Sequence, residues 1–255
     1  MKKILLSIAG FDPSGGAGVL LDIQVFFRMG FAGMAIPTAD TEQNTQVVKE
    51  MHPRDGDLIG RQYGALKEDV FFSGIKVGMI GSRSNLFLVG DILLENREIP
   101  VVVDPVFFSS SGRALLENKA LPDFLSVLGG RMDLITPNLN EAGLLADMTI
   151  YNPETAAEAA RRIYDHSGAA CLIKGGHFED DPVDFLFDGK QEYQWKRKRL
   201  AGEVHGTGCF FSAAALAYMA AGETAAGACE KAGDWTHRAI RSSIQLGKGR
   251  RIIIP

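Results

Sequence analysis

In the segment His205-Gly206-Thr207-Gly208-Cys209 a thiol stands directly behind two glycines, and small residues at Ala213, Ala214 and Ala215 carry the pattern on as a helix. Glycines that open a helix leave free N–H groups aimed at an anion, at the positive end of the helix dipole. The same field favours a thiolate, so the spacing predicts a lowered pKa for Cys209. Burial as a small apolar residue is the plainer account of a free cysteine. That account is kept for Cys171, inside an apolar strand, and for Cys229, in a helical stretch. The adjoining anion cradle sets Cys209 apart.

Other chemistry-bearing residues fall where apolar runs end. The first run leads into Gly10-Phe11-Asp12-Pro13-Ser14-Gly15-Gly16-Ala17-Gly18, and later runs end in Asp104-Pro105, Thr136-Pro137-Asn138 and Lys174-Gly175-Gly176-His177. Each alone reads as a turn. Four in one chain, each with an ionisable or amide side chain, point to one shared site, because open α/β sheets bind ligands beyond the carboxyl ends of their strands. Tandem glycines let a backbone approach a ligand closely. The spacing GxGxxG is absent here and GxxxxGK[S/T] is absent throughout, which excludes a dinucleotide fingerprint and a P-loop. Asn138 and Glu141 lie three apart on one face of a helix that starts after Pro137. An amide and a carboxylate so placed suit the water shell of Mg²⁺, and a helix cap with a surface glutamate accounts for them equally. The histidines show neither HxxxH nor HExxH spacing, so no zinc site is expected.

The elements that must position these residues alternate along the chain. Apolar runs at Ile4–Ala9, Met34–Thr38, Gly74–Val77, Val101–Asp104, Leu134–Thr136 and Ala170–Lys174 predict strands, several of them continuous as in parallel strands buried on both faces. Helices are predicted at Asp22–Met29, ended by Gly30, and at Glu154–Asp165, introduced by Asn152-Pro153. The expected fold is a doubly wound, mostly parallel sheet flanked by helices. Val183, Phe185 and Phe187, a turn at Asp188-Gly189-Lys190, then Tyr193 and Trp195 predict a late antiparallel hairpin. Its second arm carries Lys196-Arg197-Lys198-Arg199, which could attract an acidic ligand and reads more readily as a solvated edge that blocks strand pairing.

With 255 residues, 46% apolar and 23% charged, the composition is that of an ordinary soluble protein of one large domain, expected over residues 1–255. A net charge of −4 exerts no general pull on nucleic acid or anionic lipid. Three cysteines without CxxC spacing suit a reducing cytoplasm. The apolar run after Lys2-Lys3 is too short for a signal peptide and reads as a strand, and Cys209–Ala221 is too short to span a bilayer.

Taken together, these residues resemble the ribokinase-like superfamily, and within it the hydroxymethylpyrimidine and phosphomethylpyrimidine kinases of thiamine biosynthesis. The resemblance runs through nearly the whole chain: Ala9-Gly10, Asp12 to Gly18, Asp22, Gln43-Asn44-Thr45, Lys76 with Gly78-Met79, Val103 to Val106, Thr136 to Asn138 with Glu141, Lys174 to His177, and His205 to Cys209. It implies ATP and Mg²⁺ as cofactors and a small-molecule substrate. Cys209 would be the base for the substrate alcohol, Gly206 and Gly208 the anion hole, and Lys174 a cation on the phosphates. His205 and Thr207 would join Lys174 in binding nucleotide, and Asp104, Asn138 and Glu141 would organise Mg²⁺. Asp22 and Gln43 would bind the aminopyrimidine edge, with Gly10, Ala17, Met79 and Val106 shaping its slot. A homodimer is implied as well.

The chain departs from the family pattern at Phe11, Leu21, Asp40, Glu42, Phe210 and the tail Gly249-Arg250-Arg251. Phe11 and Glu42 are expected to flank the substrate slot. A pyridoxal kinase of the same cysteine-bearing group is therefore the competing enzyme, and a catalytically silent vitamin-precursor binder the competing reading of another class.

Overall fold

Apolar runs without alternation demand cover on both faces, and the computed structural model, which describes residues 2–175 and 181–255, supplies it with helices on either side of one sheet. Gly176 and His177, named above at a strand end, lie outside the described residues. The strands are β1 (Ile4–Phe11), β2 (Ala32–Gln43), β3 (Val48–Pro53), β4 (Gly74–Val77), β5 (Val101–Val103), β6 (Leu134–Ile135), β7 (Ala170–Ile173), β8 (Val183–Phe187) and β9 (Glu192–Lys196). They form a nine-stranded sheet in the order β3-β2-β1-β4-β5-β6-β7-β8-β9. Neighbours from β2 to β7 pair in parallel, and β3, β8 and β9 are antiparallel. The winding direction reverses between β1 and β4, which places the ligand crevice of such a sheet at the carboxyl ends of those strands.

The helices are α1 (Gly18–Arg28), α2 (Gly56–Lys67), α3 (Arg83–Leu94), α4 (Phe124–Leu128), α5 (Leu139–Ala146), α6 (Pro153–Ser167), α7 (Thr207–Ala220) and α8 (Ala225–Arg241). A short parallel pair, β10 (Val204–His205) and β11 (Arg251–Ile252), ties the chain end to the segment before α7. Side chains alternate across a strand, so each strand feeds two cores. Leu6, Ile8, Ile75, Val77, Val101, Val103 and Ile135 pack with α2 to α6. Leu5, Val102, Leu134 and Leu172 pack with α1, α7 and α8.

Helix α7 is buried almost all round. Its alanines are strong helix formers and small enough to let α1, α8 and the sheet close on it. Phe210 meets Trp235 of α8 edge to face, with ring centroids 4.7 Å apart, so the aromatic residue behind Cys209 anchors α7 to its neighbour.

Two elements differ from expectation for local reasons. Strand β2 runs on past Thr38 to Gln43 and pairs with β3 as a hairpin, closed by Asn44, whose side chain accepts from the Gln46 and Val47 N–H groups. Its outer half, Ala39-Asp40-Thr41-Glu42-Gln43, has no apolar run and escapes a hydrophobicity criterion. Helix α1 starts four residues before Asp22, at a glycine with no side-chain cap, and so lacks a start signal. Helix α6 matches its signals, with a capping box from Asn152 and Thr155 and left-handed Gly168 at the end. The edge basic run is not wholly solvated: Arg197 is mostly buried, and its guanidinium donates to Asp184 at 2.9 Å and pairs with Asp234.

Candidate active site

The period-two pattern that builds the α7-side core continues past it in polar residues. On that face Leu5 is followed by Ser7, Gly74 by Lys76 and Gly78, Val102 by Asp104, Leu134 by Thr136, and Leu172 by Lys174. Ser7 is the register partner of Lys76, and Lys76 of Val102. One row higher, Asp104 becomes the hub. It accepts from Lys174 Nζ at 2.7 Å, from the Thr136 hydroxyl at 3.2 Å and from the Ser212 hydroxyl of α7 at 3.4 Å. Burial works against the charge on Lys174, but Asp104 and Glu141 outweigh it and hold the ammonium above the ordinary lysine range.

The first turn of α7 rests on this row. A Cβ at Gly208 would stand 3.1 Å from Lys174 Nζ and 3.4 Å from Asp104 Oδ2, so the glycine lets the helix end sit directly over the charges. Gly206, the N-cap, has φ +80, and a Cβ there would fall 1.8 Å from the Gly16 carbonyl oxygen. Only glycine satisfies both the left-handed backbone and that approach. The two glycine segments, far apart in sequence, are thereby packed backbone to backbone. Thr207, the first residue of α7, is half-buried beside them.

Cys209 is half-buried behind the cradle. The expectation of an acidified thiol is overturned. Burial pushes it up to about 11, with Asp104 and Asp22 adding to the rise, while Lys76 and a hydrogen bond from the Gly18 N–H pull the other way. The helix-dipole argument takes in one favourable neighbour and omits desolvation among two carboxylates, which wins here. Cys171 and Cys229 are buried, and burial raises their thiols further still.

Asn138 and Glu141 form a reciprocal capping box on α5: the Asn138 amide oxygen accepts from the Glu141 N–H at 3.0 Å, and the Glu141 carboxylate accepts from the Asn138 N–H at 2.8 Å. The cap is real, but Glu141 is buried and not a surface residue. Burial raises its carboxyl to about 7 against the pull of Lys174, with Asp104 adding to the rise. Asp104 and Glu141 thus both face one lysine. Among the described residues no three His, Cys, Asp or Glu side chains converge as a metal cage. Two buried carboxylates with surplus negative charge suit a hydrated Mg²⁺, which keeps several waters and shares its charge with substrate phosphates.

The predicted substrate residues separate into two groups. Met79 lies on Gly10, its Cε 2.0 Å from where a Cβ would be, and Val106 packs into the same small cluster with Ala39, Val48 and Leu115. Gln43 joins them from the end of β2. Its side chain accepts from Thr41 at 3.2 Å, and its amide nitrogen lies 2.9 Å from His205 Nε2. That same Nε2 lies 2.9 Å from Asp12 Oδ2, so Asp12, Gln43 and His205 bind the β1 loop, the hairpin and β10 together. Ala17, half-buried and extended, precedes α1 beside them. Asp22 is the exception. It is completely buried, with Lys76 and Ser7 on its oxygens, so it presents no atom to a pyrimidine edge and its direct ligand role is withdrawn. A polar residue breaking an apolar strand, as in Gly74-Ile75-Lys76-Val77 or at Ser7, is a sequence signal that could have found this buried pair, and the sequence reading did not use it.

The departures also find places. Asp40 makes a two-pronged ion pair with Arg54, both contacts 2.8 Å, and Glu42 pairs with His52 at 2.8 Å in solvent. Both pairs are on the opposite side of β2 from Thr41 and Gln43, so Glu42 does not flank the slot. The Phe11 carbonyl accepts from Thr41, tying the β1 loop to the hairpin. In the tail, Arg250 donates to the Ser110 hydroxyl at 2.8 Å and pairs with Glu203, and Ile252 approaches Gly16.

The matched family model describes phosphomethylpyrimidine kinase and spans residues 12–253. A hydroxymethylpyrimidine/phosphomethylpyrimidine kinase of Aquifex aeolicus is 39% identical over 98% of this chain and 99% of its own length. One of Bacillus subtilis is 34% identical over 96% and 91%. Among solved structures, the pyridoxal kinase of Staphylococcus aureus in complex with ADP superposes with TM-score 0.90 at 28% identity, over 99% of this chain and 93% of that one. A phosphomethylpyrimidine kinase of Clostridium difficile gives 0.83 at 30% identity, over 94% and 100%. With its glycine cradle, Lys174–Asp104 hub and Cys209 gathered at the carboxyl ends of the strands and a match across nearly its full length, the chain belongs to the phosphomethylpyrimidine kinase family.

Proposed function

We propose that the protein transfers phosphoryl groups from ATP to the hydroxymethyl group of 4-amino-5-hydroxymethyl-2-methylpyrimidine, and then to the resulting monophosphate. The observation that carries this reading is the arrangement at the strand ends: Cys209 behind an anion cradle set over Lys174 and Asp104, with Gly10, Met79, Val106 and Gln43 at the ends of the neighbouring strands. Phosphoryl transfer asks for positioning and charge neutralisation more than covalent chemistry. The N–H groups that open α7 at Gly206 and Gly208 face the transferring phosphoryl oxygens, Lys174 neutralises them, and Thr207 and His205 border the nucleotide. Asp104 and Glu141 would hold Mg²⁺, with Asn138 placing Glu141, and the ion would supply further neutralisation of the phosphates.

In the first transfer Cys209, whose raised pKa of about 11 makes the thiolate scarce at neutral pH but strongly basic, takes the proton from the substrate hydroxyl as its oxygen bonds to the γ-phosphorus and the bond to ADP breaks. The second acceptor is a phosphomonoester, whose second pKa of roughly 6 makes it an oxyanion at neutral pH, so that step needs no base. Single-turnover assays of Cys209→Ala test the assignment: the first transfer falls by on the order of 10²-fold or more and the second far less. Equal losses would remove Cys209 as the base.

The likeness to pyridoxal kinases favours one second reading, phosphorylation of pyridoxal in the same slot. Incubation with Mg-ATP and a panel of the pyrimidine alcohol, its monophosphate, pyridoxal and pyridoxine, followed by mass spectrometry, separates the two. A pyrimidine diphosphate supports the first reading, and phosphorylated pyridoxal alone the second. We also take the chain to act as a single ribokinase-like unit, paired as a homodimer in the cytoplasm, where its three free cysteines suit the reducing conditions. Light scattering of the purified protein tests the pairing.

A further inference from the structure

The basic run at the sheet edge has a member that the scheme above does not use. On the face that packs with α7 and α8, Leu172 is the register partner of Leu186, and Leu186 of Tyr193. Side chains two residues along each strand share that face, which brings Lys174, Asp184 and Arg197 into the next row. Asp184 is opposite Trp195, and Arg197, just past β9, keeps its N–H on the Pro182 carbonyl at 3.0 Å. Asp104, Lys174, Asp184 and Arg197 thus alternate in sign out to the sheet edge.

Arg197 is enclosed between β8 and α8. Its guanidinium donates to Asp184 Oδ2 at 2.9 Å, to the Glu230 carbonyl at 3.1 Å and to Asp234 at 3.2 Å, and a Cβ on Gly233 would strike it. A mostly buried pair of this kind is a weak device for stability, since apolar residues of like size do as well or better. Its other contact gives it a different use. The ladder between β7 and β8 stops at Ile173 and Phe185, so the Gly175 N–H must find another acceptor. It donates to Asp184 Oδ1 at 3.1 Å.

Gly175 directly follows Lys174. On the near side the Lys174 N–H donates to the Pro137 carbonyl at 2.9 Å, and on the far side a Cβ on Gly175 would collide with the Val183 carbonyl. The backbone that carries the Lys174 side chain is therefore gripped on both sides before its ammonium reaches Asp104 at 2.7 Å.

We propose that Asp184 is a positioning residue for phosphoryl transfer. It fixes the Lys174–Gly175 peptide, and with it the reach of the Lys174 ammonium, while Arg197 holds the Asp184 carboxylate in place. For turnover this rests on the reading of Lys174 as the cation on the phosphates. The grip on Gly175 is open to a measurement that needs no turnover.

Asp184→Asn alone is a poor probe, because its NH₂ would face either the Gly175 N–H or Arg197. Both charges are therefore removed together. R197M/D184N keeps an oxygen for the Gly175 N–H, and R197M/D184L keeps none at similar size. In single-turnover assays with Mg-ATP and the alcohol substrate, the leucine protein should be slower than the asparagine protein by on the order of 10²-fold, the cost of misplacing a catalytic group by about 1 Å. KM for the alcohol should be alike in the two. Equal rates overturn the proposal. Adding Lys174→Ala to both should erase the difference, because Asp184 acts through that lysine. A difference of tenfold or more that persists without the lysine overturns the proposal.

In the protein without substrate, ¹³C on lysine carbonyls and ¹⁵N on glycine amides single out the two Lys-Gly pairs, 174–175 and 248–249, by NMR. Deuterium exchange of the Gly175 amide should be about tenfold or more faster in the leucine protein than in the asparagine protein, and that of Gly249 the same in both. Equal exchange at Gly175 overturns the proposal. If the leucine protein does not fold, Asp184→Ala takes its place in each comparison. The two readings fail separately: a normal rate for Lys174→Ala removes the lysine from the transfer, and the catalytic half of the proposal with it, but leaves the exchange difference at Gly175 standing.

Discussion

Gly206→Ala tests whether the cradle is held by backbone approach. The residue has φ +80, and its new Cβ would fall 1.8 Å from the Gly16 carbonyl oxygen and 2.9 Å from Leu21 Cδ2. The left-handed backbone costs an L-residue about 1–2 kcal/mol. Forcing a methyl into a filled site adds about 1–3 kcal/mol, here because the neighbour is backbone and cannot rotate away. Together these give a loss of about 2–5 kcal/mol, or about 4–20 °C in Tm for a chain near this length. Gly30→Ala is the matched control. Gly30 has φ +87 and nothing within 4 Å of its Cβ position, so it bears only the dihedral cost of about 1–2 kcal/mol. Urea unfolding followed by tryptophan fluorescence, with Trp235 against Phe210 as a reporter near α7, measures the difference. Displacing the Gly16 loop should also lower turnover, since a shift of about 1 Å in catalytic geometry costs on the order of 10²-fold. If Gly206→Ala is no less stable than Gly30→Ala and turns over normally, the packed-cradle argument is wrong.

Lys174→Ala removes the cation shared by Asp104 and Glu141 and should depress both transfers by on the order of 10²-fold or more; a loss confined to one step in single-turnover assays would contradict the shared role. Gly10→Ala places a methyl 2.0 Å from Met79 Cε, the free end of a flexible side chain. The protein should fold with a nearly unchanged Tm while KM for the heterocycle rises about tenfold, equivalent to about 1.4 kcal/mol of lost binding. An unchanged KM would place the slot elsewhere. Asn138→Ala removes the cap of α5 and should cost about 1 kcal/mol in urea unfolding, with Asn138→Ser recovering most of it; failure of the serine to recover stability would mean that the amide does more than cap.

The order of residues was enough to reveal the parallel sheet, the late hairpin and the strand-end placement of Asp104, Asn138, Lys174 and the Gly206–Cys209 turn. Continuous apolar strands punctuated by glycine and proline are local signals, and a parallel sheet wound from them gathers the residues that follow its strands at one end. The outer half of β2 stayed hidden because its polar residues pair across a hairpin and bury little. Which charges meet was settled only by the packing of distant segments. His205 and Gln43 are 162 residues apart, and Lys76 finds Asp22 across 54. The Cys209 thiol shows the consequence most clearly. A helix start in the sequence predicts an acidic thiol, but its pKa depends on burial and on every charge the fold places nearby, and those contributions push it up to about 11.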